Sequence, residues 1–131
     1  QEGYEPVFIP GQGAIRKEWD DVEKMGLSVA DFANLDFLAR FLYESGYLIG
    51  NDSGLGHLAS ALDVPTLTLC RRKTWANMWA PSFARGEVIT PFSWIPNIRG
   101  LRLRDRHWQK FITVGMARRA FERLVQSPSH R

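Results

Sequence analysis

Cysteine is almost missing from this chain: Cys70 stands alone among 131 residues. One thiol cannot close an intrachain disulfide and offers no thiolate cluster to a metal, so a reducing cytoplasm is the expected compartment. Long apolar runs are lacking as well. The longest cover a few residues, far short of the roughly 20 that a membrane-spanning helix needs, and a protein that is soluble or at most peripheral to a membrane is expected. The chain opens on Gln1 with no initiator Met and no charged-then-apolar leader, which suggests an excerpt of a longer protein. Seven Pro and eleven Gly are scattered rather than clustered, leaving no linker that would divide the chain. A single domain over residues 1–131 is therefore expected. Zinc-ligand spacing, a Walker lysine loop and a Ser-His-Asp arrangement are all missing, and no cofactor or metal is expected.

Charge is present but unevenly placed. Residues 1–66 carry four basic side chains (Arg16, Lys17, Lys24, Arg40) against eleven acidic ones. Residues 67–131 carry thirteen against three (Glu87, Asp105, Glu122), and the formal net charge is +3. Such asymmetry fits an anionic partner for the second half, halves that neutralise one another in the fold, or basic residues that merely solvate a surface.

The apolar pattern predicts alternating strands and helices. Val7-Phe8-Ile9 reads as a buried parallel strand that stops at Pro10-Gly11-Gln12-Gly13. A helix is expected within residues 14–24. From Phe32, apolar residues at Leu35, Leu38, Ala39, Leu42 and Tyr43 recur at three- and four-residue spacing, predicting a helix to about Glu44, with Gly46 as its stop. Tyr47-Leu48-Ile49 is a second strand running into Gly50-Asn51-Asp52-Ser53-Gly54. Leu55 to Leu62 reads as a helix whose small residues Gly56, Ala59, Ser60 and Ala61 permit close approach to a sheet. Pro65 precedes a third strand, Thr66 to Cys70, and Val88-Ile89-Thr90 is a fourth. Residues 98–104 alternate like a strand or an irregular edge. Ile112 to Val125 places Val114, Ala117, Phe121, Leu124 and Val125 on one helical face and Arg118, Arg119, Glu122 and Arg123 on the other. The order implies a mixed α/β, Rossmann-like open parallel sheet with flanking helices.

Chemistry concentrates where the second strand meets the following helix. In open parallel sheets ligands bind at the carboxyl ends of the strands. The free N–H groups and positive dipole end of the helix make that edge suited to phosphate. Ser53 offers a hydroxyl there, and Gly54 lets a ligand approach the main chain without meeting a Cβ. Asp52 would repel a phosphate placed directly against it, and so is expected to hold the turn through loop N–H groups or to cap the helix. His57, within the first turn and a half, can reach back over the same mouth. Read alone, Asp-Ser-Gly before a helix is also an ordinary capping sequence, and a lone histidine is also an ordinary surface residue.

The string Ile49-Gly50-Asn51-Asp52-Ser53-Gly54-Leu55-Gly56-His57-Leu58-Ala59-Ser60-Ala61-Leu62-Asp63-Val64-Pro65-Thr66 resembles the Asp-Ser/Thr-Gly-x-x-His-Leu-Ala-Ala-Ala-x-x-x-Pro-Thr signature of glycosyltransferase family 9, the heptosyltransferases of lipopolysaccharide core synthesis and their relatives. The helix from Phe32 to Ser45 is similar to the family's leucine-rich helix, and Thr74 and Pro81 resemble a looser Thr-x-Pro segment. The resemblance covers residues 6 to 91 and is strongest over 47 to 69. It implies the C-terminal, donor-binding half of a GT-B glycosyltransferase, with an absent N-terminal domain supplying the acceptor site and the catalytic base. By the resemblance, Ser53 and Gly54 hold the donor diphosphate, Asp52 shapes the turn and His57 stands near the donor. Gly11, Gly13, Arg71, Lys73 and Thr74 are further candidates for donor contact. The reaction implied is inverting sugar transfer from a nucleotide-sugar donor, ADP-heptose-like, to a glycan or glycolipid acceptor, at or near the inner membrane face. This piece alone is not expected to catalyse it.

Two departures from the family pattern matter. Arg71-Arg72-Lys73 replaces the glycine usual after the third strand, and these cations either neutralise a diphosphate or face solvent. Val7 to Gly13 matches the family's second strand and loop better than its first, so Lys17 does not inherit the phosphate-contacting lysine's role. Among the five tryptophans, Trp75 and Trp79 are the better placed to stack on a sugar, with core or domain-interface packing as the alternative, while Trp19, Trp94 and Trp108 carry no positional argument. Arg99, Arg102, Arg104, Arg106 and Lys110 form a basic segment that suits anionic lipid headgroups or a solvated edge; no nucleic-acid motif accompanies it, and nucleic acid is not an expected partner. Rival readings are a non-catalytic sugar-nucleotide-binding module and a sugar-nucleotide epimerase-like enzyme on the same fold.

Overall fold

The computed structural model describes residues 3–11, 16–74, 83–92 and 107–127, with residues 16–18 described by their backbone alone. The chain divides into two compact units, residues 1–38 and 39–131.

The first unit contains β1 (Val7–Phe8), α1 (Arg16–Lys24) and β2 (Ser28–Val29). The strands pair in parallel, Val7 opposite Ser28 and Phe8 opposite Val29. Parallel strands cannot be joined by a tight turn, and α1 lies in the crossover between them. α1 ends in a Schellman closure: Gly26 takes φ 78°, its N–H donates to the Glu23 carbonyl at 2.9 Å, and Leu27 N–H donates to the Val22 carbonyl at 3.4 Å. β2 was not foreseen, because two residues without an apolar run carry no periodic signal. The first strand is parallel as expected but not buried. Val7 and Phe8 are 37% and 38% exposed, since two-residue strands in a two-stranded sheet offer little surface to cover either face.

α2 (Leu35–Glu44) begins later than the apolar spacing suggests. The Asn34 carboxamide oxygen accepts from Phe37 N–H at 3.1 Å, an N-cap that sets the first helical residue at Leu35. Its end is closed by Ser45, whose hydroxyl donates to the Leu42 carbonyl at 2.7 Å, rather than by a left-handed Gly46. Of the expected apolar face, Leu42 is buried while Leu35 and Tyr43 are exposed.

The second unit is built on β3 (Leu48–Asn51), β4 (Thr66–Leu69) and β5 (Gly86–Ile89), with α3 (Gly54–Ala61) between β3 and β4. A 3-10 turn (Trp108–Phe111) leads into α4 (Val114–Gln126). The sheet order is β3-β4-β5, all parallel, with Leu48 opposite Thr66 and Thr66 opposite Gly86. β4 is the middle strand and is buried on both faces, as Leu67, Thr66 and Thr68 show. Leu67 and Ile89 pack against Ala120 and Leu124 of α4, with Tyr47, Leu69, Ile112, Ala117 and Phe121 around them. The Tyr47 and Phe121 rings meet edge to face at 5.2 Å. Two details of the expected α4 face differ: Val114, in the first turn, is 86% exposed, and Ala120 takes a central place in the core.

α4 is held at both ends. Thr113 Oγ1 accepts from Met116 N–H at 3.2 Å as the N-cap, and Ser127 Oγ donates to the Arg123 carbonyl at 2.8 Å. Arg123 clasps Glu87 on β5 through Nε and Nη2, at 3.2 and 2.9 Å, and Arg85 donates to the Ser127 carbonyl. Glu122 pairs with Arg118 at 2.9 Å. Two of the three acidic residues of the basic half are thus already paired within it.

The architecture is mixed α/β with parallel strands in open sheets and flanking helices, as the sequence order implies. The strand or edge expected over 98–104, the residues Gly13, Trp75, Trp79, Pro81 and Trp94, and the basic segment's Arg99, Arg102, Arg104 and Arg106 lie outside the described residues.

Candidate functional site

The small residues of α3 determine how the site is carried. Gly56, Ala59 and Ser60 are buried, and α3 packs against β3 and β4. Ala61, expected with them, faces outward. The Ser60 hydroxyl, buried, accepts from Phe83 N–H at 3.0 Å and Ala84 N–H at 2.9 Å, tying the helix to the segment that enters β5. The far end of α3 closes in a second Schellman motif. Asp63 N–H donates to the Ser60 carbonyl at 3.1 Å and Val64 N–H to the Ala59 carbonyl at 2.9 Å, with Asp63 at φ 60°. Val64 and Ala59 are fully buried together, which is the apolar contact this motif favours, and Pro65 leads out into β4.

With its C-terminal end fixed, α3 presents its N-terminus at the carboxyl edge of the sheet. Asp52 N–H donates to the Leu69 carbonyl at 3.1 Å, and Cys70 N–H to the Ile89 carbonyl at 2.9 Å. These bonds continue the two ladders past the strand ends and hold the turns in place. Ser53, not Asp52, is the N-cap residue, in extended backbone (φ −157°, ψ 166°), and its hydroxyl makes no capping bond. The Ser53 carbonyl accepts from Gly56 and His57 N–H at 3.1 and 3.4 Å. The N–H groups of Gly54 and Leu55 precede the first residues that can find an acceptor within the helix, and so stay available to a ligand. A Cβ built on Gly54 meets nothing within 4 Å, so the approach to this backbone is open.

Asp52 neither caps α3 nor stands apart. Its Oδ1 lies 3.8 Å from His57 Nε2, with the two side chains 29% and 42% exposed. That distance allows an ion pair when the imidazole is protonated, and is too long for a direct hydrogen bond. The two residues form a partly sheltered acid–imidazole pair beside the Ser53–Gly54 turn.

A shallow pocket of about 220 Å³ lies along the same edge, lined by Asn51, Asp52, Leu69, Cys70, Arg71 and Trp108. It brings Asp52 and Arg71 together, while Ser53, Gly54 and His57 do not line it. Lys73 and Thr74 are exposed in the chain after β4 and do not line it either. Gly11 is exposed in the first unit. Asn51, Cys70 and above all Trp108 were not singled out as site residues. Asn51 and Cys70 were legible as strand-end neighbours, but Trp108 follows β4 by nearly forty residues, and no local spacing signals its return to the strand ends. Among the described residues no group of acidic, His and Cys side chains is arranged to hold a metal, and no helix is long and apolar enough to cross a membrane.

No curated protein and no solved structure matches the chain. A family model does: that of glycosyltransferase family 9 (heptosyltransferase), over residues 6–89. The match takes in both parallel sheets, α3 and the whole Asp52–His57 turn, and it covers more than half of the sequence. A match of this extent shows that the chain, with its parallel sheets and flanking helices, belongs to glycosyltransferase family 9.

Proposed function

We propose that this chain is the donor-binding half of an inverting glycosyltransferase, and that the β3–α3 turn grips the diphosphate of a nucleotide sugar. The observation that carries the reading is the state of the α3 N-terminus: an uncapped Ser53 hydroxyl, helix N–H groups without an internal acceptor, and open space over Gly54. Fixed donors of this kind stabilise the negative charge that builds on a leaving diphosphate as the glycosidic bond to it breaks. Asp52 and His57 would border the same group, His57 donating to a phosphate or sugar oxygen while Asp52 holds the imidazole near it.

Within this reading the donor is ADP-heptose-like, the acceptor is a glycan or glycolipid of lipopolysaccharide or a related surface glycan, and the general base comes from an N-terminal domain in a GT-B arrangement. Transfer would take place in the cytoplasm, at or near the inner membrane face. The chain alone would bind donor and leave it unreacted.

Calorimetric titration of ADP, UDP, GDP and their sugar conjugates into the 131-residue chain tests the reading. Diphosphate-dependent binding is expected, and it should disappear in a folded Ser53→Ala, Gly54→Val variant. Equal binding by that variant would remove the turn from the site, and no binding by the folded wild-type chain would remove the donor-binding role.

A further inference from the structure

α4 begins with charge set against its own dipole. The first turn of a helix favours acidic side chains, and cations there are unfavourable. The first turn of α4 holds no acidic residue, and between Asp105 and Glu122 the sequence has none at all. Lys110, exposed, lies in the 3-10 turn that leads into the helix. Arg119, also exposed, donates through Nε to the Gly115 carbonyl at 3.2 Å, which draws its guanidinium back toward the first turn. Glu122, the next acid along the chain, is already engaged by Arg118. Among the described residues neither Lys110 nor Arg119 meets a carboxylate.

The same turn exposes an apolar side chain. Val114, at 86%, is the most exposed large apolar residue among those described, while Ala117, Ala120, Phe121 and Leu124 of the same helix join the core. Fraying does not account for it, because Thr113 Oγ1 makes its capping bond with Met116 N–H. Cations alone would suit any soluble anion. An uncovered apolar side chain beside them suits a surface that is anionic outside and apolar beneath. The far end of α4 is fixed at the amino end of β5, by Arg85 on the Ser127 carbonyl and Arg123 on Glu87, so its start lies toward the carboxyl edge of the sheet, where Trp108 lines the pocket.

We propose that the start of α4 and the turn before it form a docking surface for an anionic lipid bilayer, with Val114 entering the headgroup layer and Lys110 and Arg119 meeting lipid phosphates. The surface gives the membrane-face acceptor of the reading above its place on the fold, and the choice of partner rests on that reading. Attachment of this kind is reversible, with each cation contributing about fivefold in affinity.

Co-sedimentation of the 131-residue chain with vesicles of equal parts phosphatidylcholine and phosphatidylglycerol tests the proposal, with pure phosphatidylcholine vesicles and filter binding of a short duplex RNA as contrasts. Binding to the mixed vesicles alone is expected, and it should be lost at high salt. Lys110→Glu combined with Arg119→Glu should cut it by about tenfold or more. Val114→Asp should also weaken it, while urea-measured stability holds or rises, because an acid in the first turn suits the helix dipole. If Val114→Asp lowers stability and vesicle binding together, Val114 serves the fold and the docking role falls. The proposal is also overturned if the wild-type chain ignores the mixed vesicles, if the charge-reversed variant binds them equally, or if the duplex RNA binds more tightly than they do. Nucleotide titration of the same chain keeps the two readings apart: nucleotide bound without vesicles removes this surface and leaves the donor turn in place.

Discussion

At the scale of single residues, Gly54 separates folding from binding. Its φ lies outside the left-handed region and a Cβ there meets only open space, so the fold does not require glycine. Gly54→Ala should stabilise the chain by about 0.5–1 kcal/mol, through the lower entropy of the unfolded chain and better helix propensity. The same methyl group would stand where a phosphate must approach the N–H groups. Urea unfolding and nucleotide titration of one variant should therefore move in opposite directions, and a variant that is more stable and binds as well as wild type would contradict the placement of the phosphate. Asp52 and His57 show how far residue identity alone reaches. Their presence at this turn was legible in the sequence; their pairing across the first turn and a half, and the passing of the N-cap position to Ser53, depend on the backbone path of the turn.

At the scale of elements, α3 is positioned by its buried end more than by its exposed one. Ser60 is 1% exposed and is the acceptor for two backbone N–H groups, so Ser60→Ala leaves both without it. A loss of about 2 kcal/mol in urea-measured stability is expected from that desolvation cost. A Ser60→Ala variant within about 0.3 kcal/mol of wild type would show that the 83–84 segment finds other acceptors. α3, β3 and β4 were readable because two short strand-like runs, Tyr47 to Ile49 and Thr66 to Cys70, flank a small-residue helix with a Pro at its exit. α2 and α4 were readable from three- and four-residue spacing, but their ends were not: Asn34, Ser45 and Thr113 set those limits through side-chain bonds that periodicity does not contain. β2 went unseen for the same reason that β1 proved exposed, since two-residue strands carry neither pattern nor cover. Trp108 marks the limit for the site, because a side chain brought back from distant sequence leaves no local trace.

At the scale of the whole molecule, charge is the property that survives from sequence to structure in altered form. Within the basic half, Glu87 and Glu122 are engaged by Arg123 and Arg118, while Arg71 lines the pocket at the carboxyl edge of the sheet. If Arg71 and Lys73 act on the diphosphate rather than merely facing solvent, nucleotide affinity should fall about threefold or more between 0.05 and 0.5 M NaCl, because exposed charges are screened over a few ångströms at the higher salt. Affinity independent of salt would assign these cations to the solvated surface. The core of this unit has a further consequence during synthesis. Leu67 of β4 is covered by Ala120 and Leu124, which lie more than fifty residues later in the chain. At about 5–20 residues per second, the apolar face of the new sheet emerges from the ribosome several seconds before the helix that will shield it. The β3–α3 turn can thus be made while the opposite requirement of the fold, a covered core, is still unmet, and in that interval the nascent chain is a natural client for a chaperone.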